Sequence, residues 1–203
     1  MAKLYFRYGT VGSAKTLNLV AVAHNYRQQG KKILLLKPEL DSRFGKDQIK
    51  SRAGLEMQAD ILVQPDSNLL YLDFEGISCL LADEAQFLSK HLIDQLRAIT
   101  LLKNIPVICY GLRTDFKGRL FEGSLRLMEL ADSIEEIKAT CHFCNKKSIM
   151  NLKHLNGHAT LEGPTVQLGA EERYLPTCFP CYIRELQKSG ALATEPAAAA
   201  LSI

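Results

Sequence analysis

Eight residues near the N-terminus have the spacing of a phosphate-binding loop, G-x-x-x-x-G-K-[ST], with alanine in place of the second glycine. The run reads Gly9-Thr10-Val11-Gly12-Ser13-Ala14-Lys15-Thr16. A strand-like segment precedes it and a helical pattern follows from Lys15, and backbone N–H groups at a helix N-terminus attract anions. The sequence predicts that this loop cradles ATP phosphates, with Lys15 on the β- and γ-phosphates and the Thr16 hydroxyl on Mg²⁺. For this loop we expect a negative φ at Ala14. The alternative is a turn that contains Lys-Thr by chance.

Two acidic residues, Asp83 and Glu84, follow the buried apolar segment at 77–82. In enzymes with a phosphate loop, the first acid at such a strand end holds Mg²⁺, usually through water. The second acid can then polarise a hydroxyl group or a water molecule as a general base. Alone, the pair could be two solvated acids, but beside a phosphate loop it predicts transfer of the γ-phosphoryl group of a nucleoside triphosphate.

Four of the six cysteines form two Cys-x-x-Cys pairs with 33 residues between them: Cys141, Cys144, Cys178 and Cys181. Because the chain shows no secretion signal, this spacing predicts a metal site rather than two disulfides. Four thiolates bind Zn²⁺ tetrahedrally and leave no open position, so the zinc is expected to be structural. His142 is an alternative ligand. The gap exceeds the usual ~15–20 residues, and a long loop fixed at its base by a metal predicts a lid.

Strand-like and helix-like segments alternate through the first two thirds of the chain. Apolar runs at 33–36, 77–82 and 106–111 predict buried strands, a helical pattern covers 89–102, and 39–58 is predicted as a polar connection. Alternation of this kind predicts an α/β fold with a mostly parallel sheet. Cys79 and Cys109 lie in these strands and are expected in the core.

The amino-acid composition changes at Cys141, which predicts a domain boundary there. A nucleotide-binding kinase domain is expected over 1–140 and a zinc-binding domain over 141–189. Residues 190–203 lack an amphipathic pattern and are predicted as a disordered tail. Within α1, as predicted from Lys15 to Gly30, a face of Leu17, Val20, Ala21, His24 and Gln28 is expected to be buried.

The 203 residues are 47% hydrophobic and 23% charged, with a net charge of +3. This balance excludes collagen, coiled-coil and disordered classes. No apolar run approaches the ~20 residues of a membrane span, and the N-terminus does not resemble a signal peptide, so we expect a cytoplasmic protein without a membrane partner. The sequence shows no cluster of positive charge, so we expect no nucleic-acid partner.

Two classes of function remain open from these residues. One is a small-molecule kinase, with Glu84 as the base for an acceptor hydroxyl. The other is a phosphate-loop ATPase of the nucleic-acid helicase type with a zinc knuckle, since Asp83-Glu84-Ala85-Gln86 is similar to the acidic box of helicases. That second class needs two ATPase-like domains or a ring, and a basic track, which the sequence does not show.

The order of the motifs closely resembles the zinc-containing thymidine kinases, above all the bacterial members. The resemblance covers residues 3–186 and rests on the loop, on Asp83-Glu84-Ala85-Gln86-Phe87, on Tyr110-Gly111-Leu112-Arg113-Thr114-Asp115-Phe116, and on Tyr174 four residues before Cys178. Two residues depart from the family pattern: Ala14 stands at a usual glycine, and Arg113 stands where many members have Asp.

The resemblance implies a RecA-like core with a zinc domain that carries a lasso-shaped loop, and phosphorylation of thymidine by ATP to dTMP in nucleotide salvage. It implies Glu84 as general base, Phe87 and Phe116 as aromatic walls of the nucleoside pocket, Tyr174 as the lasso residue near the base, and Asp41 and Arg43 near the phosphates. It also implies a homotetramer inhibited by dTTP. From the residues alone, Phe87 and Phe116 could equally be core residues, and Tyr174 could pack beside the zinc knuckle.

Overall fold

The computed structural model describes residues 1–41, 45, 47–165 and 174–193. Its strands are β1 (Leu4–Tyr8), β2 (Lys32–Pro38), β3 (Gln48–Lys50), β4 (Glu56–Gln58), β5 (Ile61–Val63), β6 (Ile77–Ala82), β7 (Val107–Gly111), β8 (Ser133–Glu136), β9 (Met150–Leu155), β10 (His158–Ala159) and β11 (Tyr174–Thr177). Its α-helices are α1 (Lys15–Gln28), α2 (Lys90–Leu102), α3 (Glu122–Leu130) and α4 (Phe179–Lys188). Short 3-10 turns lie at Leu69–Tyr71 and Ala85–Phe87.

The main sheet has six parallel strands in the order β5-β2-β6-β7-β1-β8. One apolar cluster packs α2 and α3 against one face of this sheet, and a second packs α1 and β3 against the other. Because both faces are covered, the central strands are apolar throughout, as in β7, where all five residues are buried. The predicted α/β fold with a mostly parallel sheet is confirmed.

The topology decides where the chemistry can lie. Strands β6, β7 and β1 are neighbours, and because they are parallel their carboxyl ends meet at one edge. Ligands of open α/β sheets bind outside the carboxyl ends of such strands. The phosphate loop follows β1, the two acids follow β6, and Leu112 follows β7, so the fold brings three separate segments to this edge.

The buried face of helix α1 matches the expected one only in part. Val20 is buried as expected, but Leu19 and Ala23 are buried with it, whereas Ala21, His24 and Gln28 of the predicted face are exposed. Apolar residues are spread nearly evenly around this helix, so periodicity alone does not select the buried side, and packing against the sheet selects it instead. By contrast, α2 begins as predicted, since the Ser89 hydroxyl accepts from the Leu92 N–H at 3.3 Å.

The segment predicted as a polar connection, 39–58, contains an antiparallel hairpin of β3 and β4. Its strands have three residues each, too short for a period-two pattern to show in the sequence. Cys79 and Cys109 lie in the core with no exposed surface, as predicted. None of the helices in the described ranges is long and apolar enough to cross a membrane.

A second, antiparallel sheet in the order β10-β9-β11 lies between the two cysteine pairs. The long segment was expected to be a loop without regular structure, and 150–159 and 174–177 are instead paired strands, while 166–173 lie outside the described residues. Helix α4 packs on β9 through Tyr182 and Leu186. Residues 190–193 of the predicted tail bond back to α4, with Ala191 N–H donating to the Leu186 carbonyl, and 194–203 are outside the described part.

Candidate active site

The phosphate loop leaves the end of β1 and is closely packed from its first residue. The Gly9 N–H donates to the Gly111 carbonyl at 3.2 Å, and a Cβ at Gly9 would lie 2.6 Å from the Ile137 carbonyl oxygen. A side chain cannot fit there, so the glycine is required by the close approach of two backbones. Lys15 is buried, and its Nζ donates to the Thr10 carbonyl at 2.8 Å. This ammonium group therefore lies inside the turn that phosphates would occupy.

Ala14 corrects the prediction of a negative φ. It has φ 63 and ψ 27, which is the left-handed region, immediately before α1. For a residue with a Cβ, this region costs roughly 1–2 kcal/mol, which glycine avoids. The loop therefore keeps its curled path at Ala14 despite the substitution, and the departure from the motif appears as backbone strain rather than as a different loop shape.

The side chains of Thr16 and Asp83 are in direct contact. The Thr16 hydroxyl donates to Asp83 Oδ2 at 3.1 Å, although the two residues belong to α1 and to the end of β6. Burial, and next to it the charge of Glu84, raise the pKa of Asp83 to about 7. A hydroxyl and a buried carboxylate side by side provide the hard oxygen ligands that Mg²⁺ prefers.

Glu84 lies beside Asp83 with its backbone in the left-handed region, φ 48 and ψ 38. Its Oε2 accepts from Gln86 Nε2 at 2.5 Å, and Gln86 Oε1 in turn accepts from the Leu112 N–H at 2.9 Å. Gln86 is 2% exposed. No role was predicted for Gln86 from its place in the Asp-Glu-x-Gln-Phe segment, and in the structure it links Glu84 to the end of β7.

Lys15, Thr16 and Glu84 line one cleft of about 230 Å³. The phosphate loop and the start of α1 form one part of its wall, Glu84 and Leu112 another, and the hairpin contributes Lys50 and Arg52. These two hairpin cations were not predicted, because the segment was interpreted as a polar connection and only Asp41 and Arg43 in it were assigned a role. Positive side chains around a loop of backbone N–H groups favour a polyanion such as a triphosphate.

The predicted aromatic residues form two separate pairs. Phe87 packs edge-on against Phe121, with ring centroids 5.7 Å apart, and Phe116 lies 6.2 Å from Tyr174. Phe116 is 1% exposed, and the Lys153 ammonium lies 4.6 Å from the centre of its ring. Phe121 is an aromatic neighbour that the sequence analysis did not single out. The structure thus packs Phe116 as a core residue that also contacts the second sheet.

The remaining predicted positions lie outside these contacts. Asp41 is buried and forms an ion pair with the equally buried Lys37, with Nζ and Oδ2 3.3 Å apart. Arg43 lies outside the described residues. The Arg113 guanidinium lies 5.8 Å from the ring centroid of Tyr8 and donates to the Ile149 carbonyl at 3.3 Å. Arg113 therefore joins the main sheet to the second one.

The four predicted cysteines come together in a metal-binding geometry. Their sulfur atoms all lie within 4.8 Å of one another, and Cys144 Sγ lies 3.6 Å from Cys178 Sγ and 3.7 Å from Cys181 Sγ. A tetrahedron with metal–sulfur bonds of ~2.3 Å has edges of ~3.8 Å, so the cage fits a four-thiolate site. His142 contributes no atom to this group, and its ring packs edge-on against Phe143.

The electrostatics of the cage favour thiolates at one corner. Burial alone would raise the pKa of the Cys141 thiol, but nearby backbone N–H groups and the Cys144 side chain lower it to about 6. One of these donors is the Phe143 N–H, 3.4 Å from Cys141 Sγ. Thiolates are the metal-binding form of cysteine, so backbone N–H groups of both pairs, that of Cys178 foremost, prepare this ligand.

Comparison with known proteins agrees with this geometry. The family model described as thymidine kinase matches residues 2–182. A thymidine kinase of Lactococcus lactis subsp. lactis is 42% identical over 187 residues, which cover 91% of this chain and 98% of that protein. A thymidine kinase of Lactiplantibacillus plantarum is 44% identical over 181 residues, with 88% and 94% covered.

One solved structure that the chain matches gives a much weaker likeness. The crystal structure of Pif1 helicase from Candida albicans superposes with a TM-score of 0.40 at 14% identity, covering 67% of this chain and 36% of that one. A likeness at this level carries no argument about function, so the helicase alternative gains no support from it.

Proposed function

This chain belongs to the thymidine kinase family, and from that premise we propose that its cleft transfers the γ-phosphoryl group of ATP to the 5′-hydroxyl of thymidine, giving dTMP and ADP. One observation carries the proposal: Glu84 lines the same cleft as Lys15 and Thr16 of the phosphate loop. An acceptor hydroxyl held at Glu84 is therefore close to the place where the γ-phosphate would lie.

The chain's own groups divide the reaction between them. The acceptor oxygen attacks the γ-phosphorus while the bond from that phosphorus to the leaving ADP oxygen breaks. The proton of the hydroxyl passes to the Glu84 carboxylate, whose position is set by Gln86. Lys15 leaves the Thr10 carbonyl for the phosphate oxygens and neutralises charge that develops there. Catalysis of this kind is mainly positioning and electrostatic stabilisation.

Mg²⁺ fits between Thr16 and Asp83, whose oxygens are already adjacent. When bound, it would neutralise part of the charge of the ATP phosphates. Its charge would also oppose the effects of burial and of Glu84 and lower the pKa of Asp83, because a cation beside a buried carboxylate stabilises the ionised form.

Zinc is the metal that we propose for the four-cysteine cage, because closed tetrahedral sulfur sites are typical of structural Zn²⁺. The cage fixes the start and end of the segment that contains the second sheet, since Cys144 precedes β9 and Cys178 follows β11. We propose that the intervening residues form the lid over the nucleoside, with the Phe87–Phe121 and Phe116–Tyr174 pairs near the base.

We also propose, from the family resemblance alone, that the enzyme assembles as a homotetramer and is inhibited by dTTP. The cytoplasmic location is a separate proposal, which rests on the sequence pattern of the N-terminus and on the short apolar runs. The Asp41 and Arg43 positions remain proposed phosphate-side residues, with Asp41 held in place by Lys37.

The test of the function is ADP release with thymidine, deoxyuridine and deoxyguanosine as acceptors. A pocket for one pyrimidine ring should accept thymidine best and deoxyuridine less well, since one methyl group in an apolar pocket is worth about 10–200-fold. It should reject deoxyguanosine. Equal kcat/KM for deoxyguanosine, or ADP release that depends on single-stranded DNA instead, would overturn the proposal. Tyr174→Ala should lower kcat/KM for thymidine and leave the metal content unchanged.

A further inference from the structure

The phosphate loop is held from outside the main sheet, by two side chains of the segment that carries the second sheet. Asn151 Oδ1 accepts from the backbone N–H of Val11 at 2.8 Å, and its Nδ2 donates to the Thr114 carbonyl at 3.1 Å. The Ser148 and Thr10 hydroxyl oxygens are 2.8 Å apart. Asn151 lies on β9 itself and Ser148 two residues before it.

All the side chains in these contacts are shielded from water. Asn151 is 4% exposed and Ser148 2%. The Ser148 hydroxyl donates its hydrogen to the Ala139 carbonyl at 3.1 Å, so in the pair with Thr10 the threonine is the donor. Each hydrogen bond is therefore directional, and the side chains of Thr10, Ser148 and Asn151 that make them are buried, which makes an unmade bond costly.

The side-chain amide of Asn151 contacts two separate segments of the main domain. One end of its carboxamide holds the loop that takes the ATP phosphates, and the other holds Thr114, two residues before Phe116. The amide thus spans from the proposed phosphate side to the segment beside the proposed nucleoside side. Nothing in the phosphate-loop motif requires this contact, because it comes from a residue more than one hundred positions further along the chain.

We propose that Asn151 is a positioning residue for ATP: with Ser148, it holds the phosphate loop in its binding-competent shape from the second sheet. The proposal rests on the proposed function in that it takes the loop as the ATP site. A loop held ready binds its ligand more tightly than one that samples other shapes, because the apparent affinity is reduced by the fraction of competent molecules. Ala14, which is strained in the same loop, increases the need for such an external hold.

The first measurement is the Kd of a non-hydrolysable ATP analogue with Mg²⁺ in the absence of any acceptor. Asn151→Leu removes both hydrogen bonds at nearly constant volume and should raise the Kd about tenfold. Steady-state kinetics should show the same rise in the KM for ATP, with kcat at saturating ATP within about threefold of the original, since bound ATP restores the loop. Amide exchange at Val11 should become faster.

The matched control is Leu152→Ala on the next position of β9. Leu152 has no exposed surface and packs in the core of the second sheet, so this variant loosens the same sheet without touching the loop. Measured well below its unfolding midpoint, it should leave the analogue Kd and Val11 exchange unchanged. An equal rise in Kd for Leu152→Ala and Asn151→Leu would show a general structural effect and overturn the proposal.

Ser148→Ala is the second variant, in case Asn151→Leu does not fold. It removes the partner of Thr10 and should raise the analogue Kd by a smaller factor, about threefold. Analogue affinity unchanged in both Asn151→Leu and Ser148→Ala would also refute the proposal. Since no acceptor is present, these results stand whether or not thymidine proves to be the substrate, and the acceptor panel tests that question separately.

Discussion

The side-chain amide of Gln86 holds the carboxylate of Glu84: Nε2 donates to Oε2 at 2.5 Å, while Oε1 accepts from the Leu112 N–H. The amide can act only in this orientation, because its donor faces Glu84 and its acceptor faces the backbone. Glu84 is thus presented to the cleft by a residue that is itself fixed to the end of the neighbouring strand. Reactive groups held in this way need less reorganisation when the substrate arrives.

We expect Glu84→Gln to lower kcat by about 10²–10⁴-fold, because it removes the proton acceptor and keeps the size and the hydrogen bond to Gln86. Gln86→Leu should lower kcat by about 10-fold or more through loss of the carboxylate's orientation, at a rough structural cost of 1–3 kcal/mol. In the Glu84→Gln background the same Gln86→Leu change should have little further effect on kcat.

The matched control for that cycle is Gln95→Leu. Gln95 is also a buried glutamine whose Oε1 accepts from a backbone N–H, that of Leu69 at 2.6 Å, but it lies away from the cleft. It should cost similar stability and leave kcat unchanged. If Gln86→Leu reduced kcat by the same factor with and without Glu84, the residue would not act through the carboxylate.

Ala14→Gly should stabilise the protein by roughly 1 kcal/mol, because glycine adopts the left-handed backbone without a Cβ clash. Its control is Ala21→Gly on the exposed face of α1, which should destabilise by roughly 1 kcal/mol through helix propensity. Chemical denaturation of the two variants checks the opposite signs. A loss of stability in Ala14→Gly equal to that in Ala21→Gly would show that Ala14 is not strained.

Asp83→Asn should abolish turnover and yet raise the midpoint of thermal unfolding at pH 7.5, measured without Mg²⁺ or nucleotide. Burial raises the folded pKa of Asp83 to about 7, above its ordinary 3.8. Between these values the folded state holds the proton more tightly, so ionisation of Asp83 costs stability as the pH rises. The asparagine variant should lack this loss, with a gain of about 3–10 °C that disappears toward pH 4. A gain that stayed constant with pH would argue against a titrating Asp83.

Cys178→Ser should remove the metal, because three thiolates remain of the four that surround the ion. Zinc content should fall from one per chain to near zero, and hydrogen exchange should rise in β11 and α4, which flank this cysteine. Cys109→Ala, in the core of the main sheet, should keep full zinc content. Absence of zinc from the unaltered protein, purified without chelators, would contradict the assignment.

Short sequence patterns were sufficient for the features that depend on local residue order. The structure contains the predicted loop after β1, the two acids after β6, the buried strands and the cluster of the two cysteine pairs. The buried face of α1 could not be read, because its apolar residues do not favour one side until the sheet is present. The left-handed Ala14 was missed for a related reason, since the loop's path, rather than the residue's own preference, sets its φ.

Contacts between distant segments could not be predicted from the sequence. Gln86 could be recognised only once the end of β7 lay beside it, and Asn151 only once β9 reached the phosphate loop. The position of Lys50 and Arg52 at the cleft could not be predicted, because strands of three residues are too short to show alternation of apolar and polar residues. Each of these depends on tertiary placement, which a linear pattern does not contain.

The burial of Cys79 and Cys109 makes both thiols unreactive toward alkylating reagents. Both thiols lie in adjacent strands with no exposed surface, and burial raises the pKa of Cys79 to about 11 and that of Cys109 further still. Neither forms appreciable thiolate at neutral pH, and the other four cysteines are engaged when the cage holds its metal. A cysteine introduced at the surface would therefore accept a fluorophore selectively, without prior removal of any native thiol.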